Sequence, residues 1–248
     1  MIKQIIDLGI SKTEAEELQK VSKNLNKDYK LLKKGYPVQY LIGYSSFCGY
    51  KIFINKHTLI PRYETEFLVE KTINYIHKYF KENITIADIA SGTACIAVAL
   101  KKQLPASTVI ATDISSKALK VAKKNIKENN ISITLLKGNM LKPIKQKIDI
   151  LVSNPPYISK SESISYIVKK YEPKIALYAP NNGIKYYEEI LKDANKILNK
   201  KSLIAFEIGC TQGSIIKNIA LKYFPYSTIK IENDLANKNR YIFIFNNI

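Results

Sequence analysis

Residues 84–113 read ITIADIASGTACIAVALKKQLPASTVIATD, and this stretch decides the fold. Its first part, ITIADIA, is an apolar, strand-like run. The small residues Ala90-Ser91-Gly92-Thr93-Ala94 leave room for a tight turn, and an apolar helical segment near 94 to 103 follows. After Pro105, STVIAT starts a second strand that ends at Asp113. Strand, turn, helix and strand in this order make one βαβ unit, whose two strands lie parallel in a sheet.

The alternation continues downstream. The runs ISITLL, KIDILVS and SLIAFEI are separated by helical segments near 115 to 128, 183 to 199 and 212 to 223, which predicts an open, mostly parallel α/β sheet. STIKIEN and RYIFIFN close the chain with a short polar link between them, so they are expected to pair as an antiparallel terminal hairpin. Upstream, Phe67, Leu68, Ile73, Ile76 and Phe80 recur at roughly helical spacing, predicting an amphipathic helix at the start of a large domain spanning 64–248. Residues 37–63 mix Pro37, Gly43 and Gly49 with the alternating run YKIFIN, and are expected to be a linker carrying a β-hairpin rather than a packed helix. Residues 1–36 read as a small helical domain, with Ser11 and Glu14 as a capping box before Leu18, Val21 and Leu25.

A chain of 248 residues is long enough for this division into one sizeable core and a small appended one. No apolar stretch is long enough to span a bilayer, and the opening MIKQIIDLGISK lacks a signal peptide's apolar region, so a cytoplasmic protein without membrane contact is expected. Cys48, Cys95 and Cys210 are widely separated, and His57 and His77 stand near no second ligand type, so neither a disulfide nor a metal site is expected. The net charge of +18 has two readings. Clustered lysines attract phosphate, which would favour weak nucleic-acid or ribosome contact. The lysines are instead spread along the whole chain without a compact basic tract, which is the pattern of a compositional bias. A monomer is expected.

Ligands of open α/β sheets bind beyond the carboxyl ends of the strands, so the residues that follow each strand carry the chemistry. The turn Ala90–Ala94 has a single glycine and no GxxxxGKS pattern, which disfavours a nucleoside triphosphate. It is either a plain strand-to-helix turn or one that brings backbone close to a ligand. Asp113 can accept hydrogen bonds from both hydroxyls of a ribose, or cap the next helix. Ser115-Ser116 already offers that cap, which leaves the carboxylate free. Met140, beside Asn139, either flanks an adenine or fills core space. The fourth strand stops at Asn154-Pro155-Pro156-Tyr157, because neither proline can donate to a sheet ladder. The stiff corner presents two acceptors, the Asn154 side-chain oxygen and the Pro155 carbonyl, one for each hydrogen of an NH2 group, with Tyr157 against its flat face. Such a grip turns the nitrogen lone pair out of conjugation and toward a sulfonium methyl.

LIPRYETE at 59–66 resembles the Leu-Ile-Pro-Arg-Pro-Glu-Thr-Glu signature of the N5-glutamine methyltransferases of the HemK/PrmC type, which modify the Gly-Gly-Gln glutamine of peptide chain release factors. VSNPPYI, Glu172-Pro173 with Ala176-Leu177, Gly183, and Glu207-Ile208-Gly209 with Gln212-Gly213 are similar to the same family, and the likeness runs from about Tyr40 to Ile248. The resemblance implies a class I, Rossmann-like methyltransferase: a seven-stranded, mostly parallel sheet with an antiparallel terminal hairpin and an N-terminal helical domain. It implies S-adenosylmethionine as cofactor, S-adenosylhomocysteine as product, and release factors as protein partners. By the same resemblance Ala90, Ser91, Gly92, Thr93, Ala94, Asp113, Met140 and Asn154 would line the cofactor site. Asn154, Pro155, Pro156 and Tyr157, with Arg62 and Glu64, would hold the glutamine, Asn154, Pro155 and Tyr157 being catalytic.

The chain departs from the family's pattern in places. The Gly-Thr-Gly-Ser-Gly turn reads Ala90-Ser91-Gly92-Thr93-Ala94, the aspartate before Met140 is Asn139, and a signature proline is Tyr63. Alanine suits such a turn wherever the torsion φ is negative. Arg62, Glu64 and Glu66 have a second explanation, as a local ion pair with helix-dipole partners. Two other functions compete. The same corner can hold an exocyclic amine, as in a DNA adenine N6 or rRNA guanine N2 methyltransferase. The lost glycines would also suit a catalytically degenerate module that docks on a translation factor. LIPRYETE and the intact corner favour the glutamine reading.

Overall fold

The computed structural model describes residues 1–81 and 83–248. Helices α1 (Ile2–Ile6), α2 (Lys12–Val21) and α3 (Leu25–Leu32) open the chain. The Ser11 hydroxyl accepts from the Glu14 N–H while the Glu14 carboxylate accepts from the Ser11 N–H, a complete capping box at the start of α2. The start of the next segment differs from the expectation that residues 37–63 hold no packed helix. Val38–Ile42 is a short helix, α4, with Val38 and Ile42 packed on Ala15 and Leu18 in a small separate core. Apolar residues four apart share one helix face, and Gly43 ends the helix with φ of 85°. Strands β1 (Tyr44–Phe47) and β2 (Tyr50–Phe53) then form the anticipated hairpin. Its two-residue turn, Cys48-Gly49, has positive φ at both positions, the geometry that matches strand twist.

Helix α5 (Tyr63–Tyr79) buries Leu68, Val69, Ile73 and Ile76 and leads into the sheet. The order continues β3 (Thr85–Ile89), α6 (Cys95–Gln103), β4 (Thr108–Asp113), α7 (Ser116–Glu128), β5 (Thr134–Lys137), β6 (Ile148–Ser153), α8 (Tyr166–Tyr171) and α9 (Lys174–Leu177). Helix α10 (Lys185–Ala194), β7 (Leu198–Glu207), α11 (Gly213–Tyr223), β8 (Thr228–Asn233) and β9 (Asn239–Asn246) complete it. The expected late helix is shorter than its periodicity suggested: it stops at Ala194, and Leu198 already pairs with Ile148 in the sheet. Among the described residues no helix is long and apolar enough to cross a membrane.

The seven strands lie in the order β5-β4-β3-β6-β7-β9-β8, parallel except for β9, which runs antiparallel to both neighbours. The sheet is covered on both faces, and successive side chains of a strand enter opposite cores. Ile86, Leu203, Tyr241 and Phe243 belong to one core, and Ala87, Ile204, Ile242 and Ile244 to the other. β3 lies beside β6 although β4 and β5 intervene in sequence, so the chain changes direction across the sheet between them. A crevice opens beyond the carboxyl ends of strands at such a switch point.

Helix α6 starts at that crevice, and its N-cap, Ala94, has only a methyl group, which cannot accept a hydrogen bond. Asp88 of β3 supplies the missing acceptor from below: its Oδ2 accepts from the Ala97 N–H at 3.1 Å, while Oδ1 has no partner among the described residues. Complete burial pushes this carboxyl from its ordinary 3.8 up to about 8, against the pull of the Ala97 N–H. A raised folded value means that the protonated form is the one the fold favours. Its stabilising share is full below the unfolded value and is lost as pH rises toward the folded one. Asp88→Asn keeps an acceptor and carries no charge. In urea denaturation without added ligand, the stability of the variant relative to the parent is therefore expected to grow steadily between about pH 4 and pH 8. A constant difference over that range would contradict the assignment.

Candidate active site

Beyond β3 the chain makes three left-handed turns in five residues, with φ of 58° at Ala90, 55° at Gly92 and 60° at Ala94. The negative torsions that would suit alanine are therefore absent. Each left-handed alanine costs about 1–2 kcal/mol, so the surroundings must hold the turn in place. Ser91 N–H donates to the Thr112 carbonyl at 2.9 Å, Gly92 N–H to Asp113 Oδ2 at 2.8 Å, and Asn125 Nδ2 to the Thr93 carbonyl at 2.9 Å. Asn125, buried on α7, also exchanges two bonds with the Phe53 backbone and so ties the hairpin to the turn. A side chain at Gly92 would meet nothing within 4 Å, so this part of the backbone borders open space.

Asp113 ends β4, and its carboxylate is not free in the way the adjacent serines suggested. Ser115 does cap α7 through Ala118 N–H, at 3.2 Å. The Asp113 oxygens are nevertheless engaged, Oδ1 by the Ser115 N–H at 2.7 Å and Oδ2 by the Gly92 N–H at 2.8 Å. Burial raises this carboxyl's pKa and the backbone N–H groups of Ser115, Gly92 and Ile114 pull it back. Each oxygen of a carboxylate has a second lone pair, so two bonds fix its orientation and leave acceptor capacity toward the cleft. Ala90, Ser91, Gly92, Thr93, Asp113, Asn139, Met140 and Asn154 all border one cavity that opens to solvent. Ala94 lies buried beneath the turn. Met140 has φ of 48° and its carbonyl accepts from the Thr112 hydroxyl at 3.0 Å, which orients it at the rim.

A second, smaller cavity adjoins the first and is lined by Leu59, Arg62, Asn154, Pro155, Tyr157 and Glu207. Asn154 borders both cavities. Among the described residues no donor reaches its Oδ1 or the Pro155 carbonyl, so both acceptors stand open. The corner is held from outside. Gln212 Nε2 donates to the Tyr157 carbonyl at 2.9 Å, and Gly183 approaches so closely that a Cβ there would lie 1.9 Å from that carbonyl. Burial pushes the Tyr157 phenol above its ordinary range, and the neighbouring Glu207 adds to this, so it remains a neutral hydroxyl.

LIPRYETE forms the opposite wall. Arg62 pairs with Glu172 rather than with the nearby Glu64 or Glu66, and Glu172 also accepts from the Ile60 N–H at 3.2 Å. Glu64 lines neither cavity. Its side chain is exposed on the first turn of α5, and its carbonyl accepts from the Tyr241 hydroxyl at 2.9 Å. Three residues that sequence reasoning did not single out by themselves complete the site: Thr65, Glu172 and Glu207. Asn154 Nδ2 donates to Thr65 Oγ1 at 3.1 Å, and Thr65 Oγ1 donates to Glu207 Oε2 at 2.6 Å. Each of the three stands within a motif quoted above, which was the only signal available for them.

Residues 65–171 match the family model described as "Methyltransferase small domain". A release factor glutamine methyltransferase of Enterococcus faecalis is 41% identical over 229 residues, covering 90% of this chain and 80% of the relative. One from Staphylococcus aureus is 38% identical over 213 residues, covering 84% and 75%. Among solved structures, a methyltransferase from Pyrococcus furiosus superposes with a TM-score of 0.59 at 18% identity, covering 81% of this chain and 90% of that one. A 16S rRNA methyltransferase of Thermus thermophilus in complex with AdoMet and guanosine gives 0.60 at 10% identity, covering 82% and 49%. The structural likenesses show the shared methyltransferase fold, and the two sequence relatives carry the finer assignment: the chain belongs to the release factor glutamine methyltransferase family.

Proposed function

We propose that the protein transfers a methyl group from S-adenosylmethionine to the side-chain amide nitrogen of the glutamine in the Gly-Gly-Gln motif of a peptide chain release factor. The observation that carries this reading is the pair of open acceptors, Asn154 Oδ1 and the Pro155 carbonyl, at the boundary between a large and a small cavity.

The larger cavity fits the cofactor. Asp113 offers two oriented carboxylate oxygens for the ribose hydroxyls, Gly92 leaves space for close approach of a ligand, and Asn139 and Met140 form the adenine side. When bound there, S-adenosylmethionine supplies an electrophilic methyl on a sulfonium. The small cavity takes the glutamine amide. Asn154 and Pro155 would each accept one of its N–H hydrogens, and Tyr157 would lie along its plane. Holding both hydrogens turns the lone pair out of conjugation before any proton is lost, so no general base is needed for attack. The acceptors also stabilise the positive charge that develops on nitrogen, and they are fixed in advance by prolines and by the bonds behind them.

Incubation with labelled S-adenosylmethionine is expected to label release factor, and to leave its Gln-to-Ala variant, duplex DNA and ribosomal RNA unlabelled. Label in nucleic acid alone would favour the exocyclic-amine reading instead. Asn154→Ala should lower kcat by at least about a hundredfold, the cost of removing one preorganised polar partner of a transition state, with cofactor affinity within about tenfold of the parent. Asp113→Ala has the complementary signature in calorimetry. Loss of hydrogen bonds to a charged group, about 1.5–3 kcal/mol, should weaken cofactor binding by about 10- to 100-fold.

A further inference from the structure

An amide side chain fits its site equally well in two orientations, and only one of them serves the reaction proposed above. With Oδ1 facing the small cavity, Asn154 accepts from the substrate nitrogen. With Nδ2 there, it would set donor against donor. What selects the orientation must lie behind the side chain. Asn154 Nδ2 contacts Thr65 Oγ1 at 3.1 Å, and Thr65 is buried on the first turn of α5. A hydroxyl has one hydrogen to give. Thr65 gives it to Glu207 Oε2 at 2.6 Å, a short bond to a buried carboxylate at the end of β7. An ionised carboxylate only accepts, so the face of Thr65 toward Asn154 carries lone pairs and can only accept as well. Nδ2 is thereby drawn to Thr65 and Oδ1 is turned to the cavity.

From this chain of contacts we infer that Thr65 and Glu207 form a positioning relay that turns the Asn154 amide oxygen toward the reacting nitrogen. Neither residue needs to touch the substrate amide to do so. The inference rests on the glutamine-methylation reading and adds its orienting device. It has a direct consequence for pH. If Glu207 is protonated on Oε2 it can donate to Thr65, whose hydrogen then turns to Asn154 and favours the reversed amide. The groups facing Glu207 are Thr65 and Glu64 of α5, Tyr157 of the corner at 3.4 Å, Tyr187 of α10, and Arg240 and Tyr241 of β9. Burial raises the Glu207 carboxyl, which the Thr65 hydroxyl and the Arg240 cation oppose. Methyl transfer should therefore fall on acidification at a pH above that of an ordinary glutamate, and recover as Glu207 ionises.

The test is kcat against pH, with cofactor affinity measured in parallel, for the parent, Thr65→Val, Thr65→Ser and Glu207→Gln. Thr65→Val keeps the shape and removes the hydroxyl. Its kcat is expected to drop by about 10- to 100-fold with cofactor affinity unchanged, and Thr65→Ser should return it to within about threefold of the parent. Glu207→Gln cannot titrate, so its profile should lose the acid limb whatever its absolute rate. Parent-like kcat in Thr65→Val, or an unchanged acid limb in Glu207→Gln, would overturn the relay. An inactive parent would instead overturn the functional reading itself. Should Thr65→Val not fold, the Glu207→Gln profile alone decides.

Discussion

The hydrogen bonding of β3 to β6 is the constraint from which the site follows. Ile89 lies opposite Ser153 in parallel register, and the Ser153 hydroxyl donates to the Ile89 carbonyl at 2.6 Å, so the two strands end at the same level. One step further, the two chains must part. Ala90–Ala94 turns into α6 on one side, and Asn154–Tyr157 is carried away by its prolines on the other. The gap between them is where the large cavity meets the small one. A shift of the pairing by one residue would exchange the faces of every side chain on β6 and point Asn154 away from the cavity it now borders.

The turn after β3 shows how a strained backbone survives with alanine at two of its three left-handed positions. Two alanines there cost about 1–2 kcal/mol each, and a single net hydrogen bond contributes only about 0.5–1.5 kcal/mol. Several bonds are required, and several converge: from Thr112, Asp113 and Asn125 to the turn, and from Asp88 to the helix that follows. Asp113 thus has two duties. It shapes the turn with one oxygen and its own loop with the other, and it borders the large cavity. The same bonds that fix the turn fix the direction in which the carboxylate accepts.

Buried acids recur around the site of a chain whose net charge is +18. Asp88 caps α6 from beneath, Glu172 grips Arg62 and the Ile60 N–H, and Glu207 anchors Thr65. Each is an acceptor placed where backbone or side-chain donors must be turned in a set direction, and none of them lies on the surface. Lysines predominate on the outside of the molecule, whereas these three acids lie in its interior beside the cavities.

The sequence by itself determined whatever depends on near neighbours. Strand runs, helix periodicity, the Ser11–Glu14 capping box, the hairpin after Gly43 and the proline stop at Asn154 all follow from residues a few positions apart, because propensity and capping act over one turn or one strand. The βαβ alternation carried this to the sheet class. Where a local pattern was ambiguous, packing decided it: Val38–Ile42 became a helix because α2 offered its apolar face a partner. The tertiary structure alone decided which motif touches which. Arg62 meets Glu172 across 110 residues, Asn154 meets Thr65 across 89, and Thr65 meets Glu207 across 142, through a strand order that no local pattern encodes. It also decided the sign of the torsions at Ala90 and Ala94 and the occupancy of the Asp113 oxygens. These depend on donors that reach the turn from other elements, and a sequence read along its length does not bring those donors together.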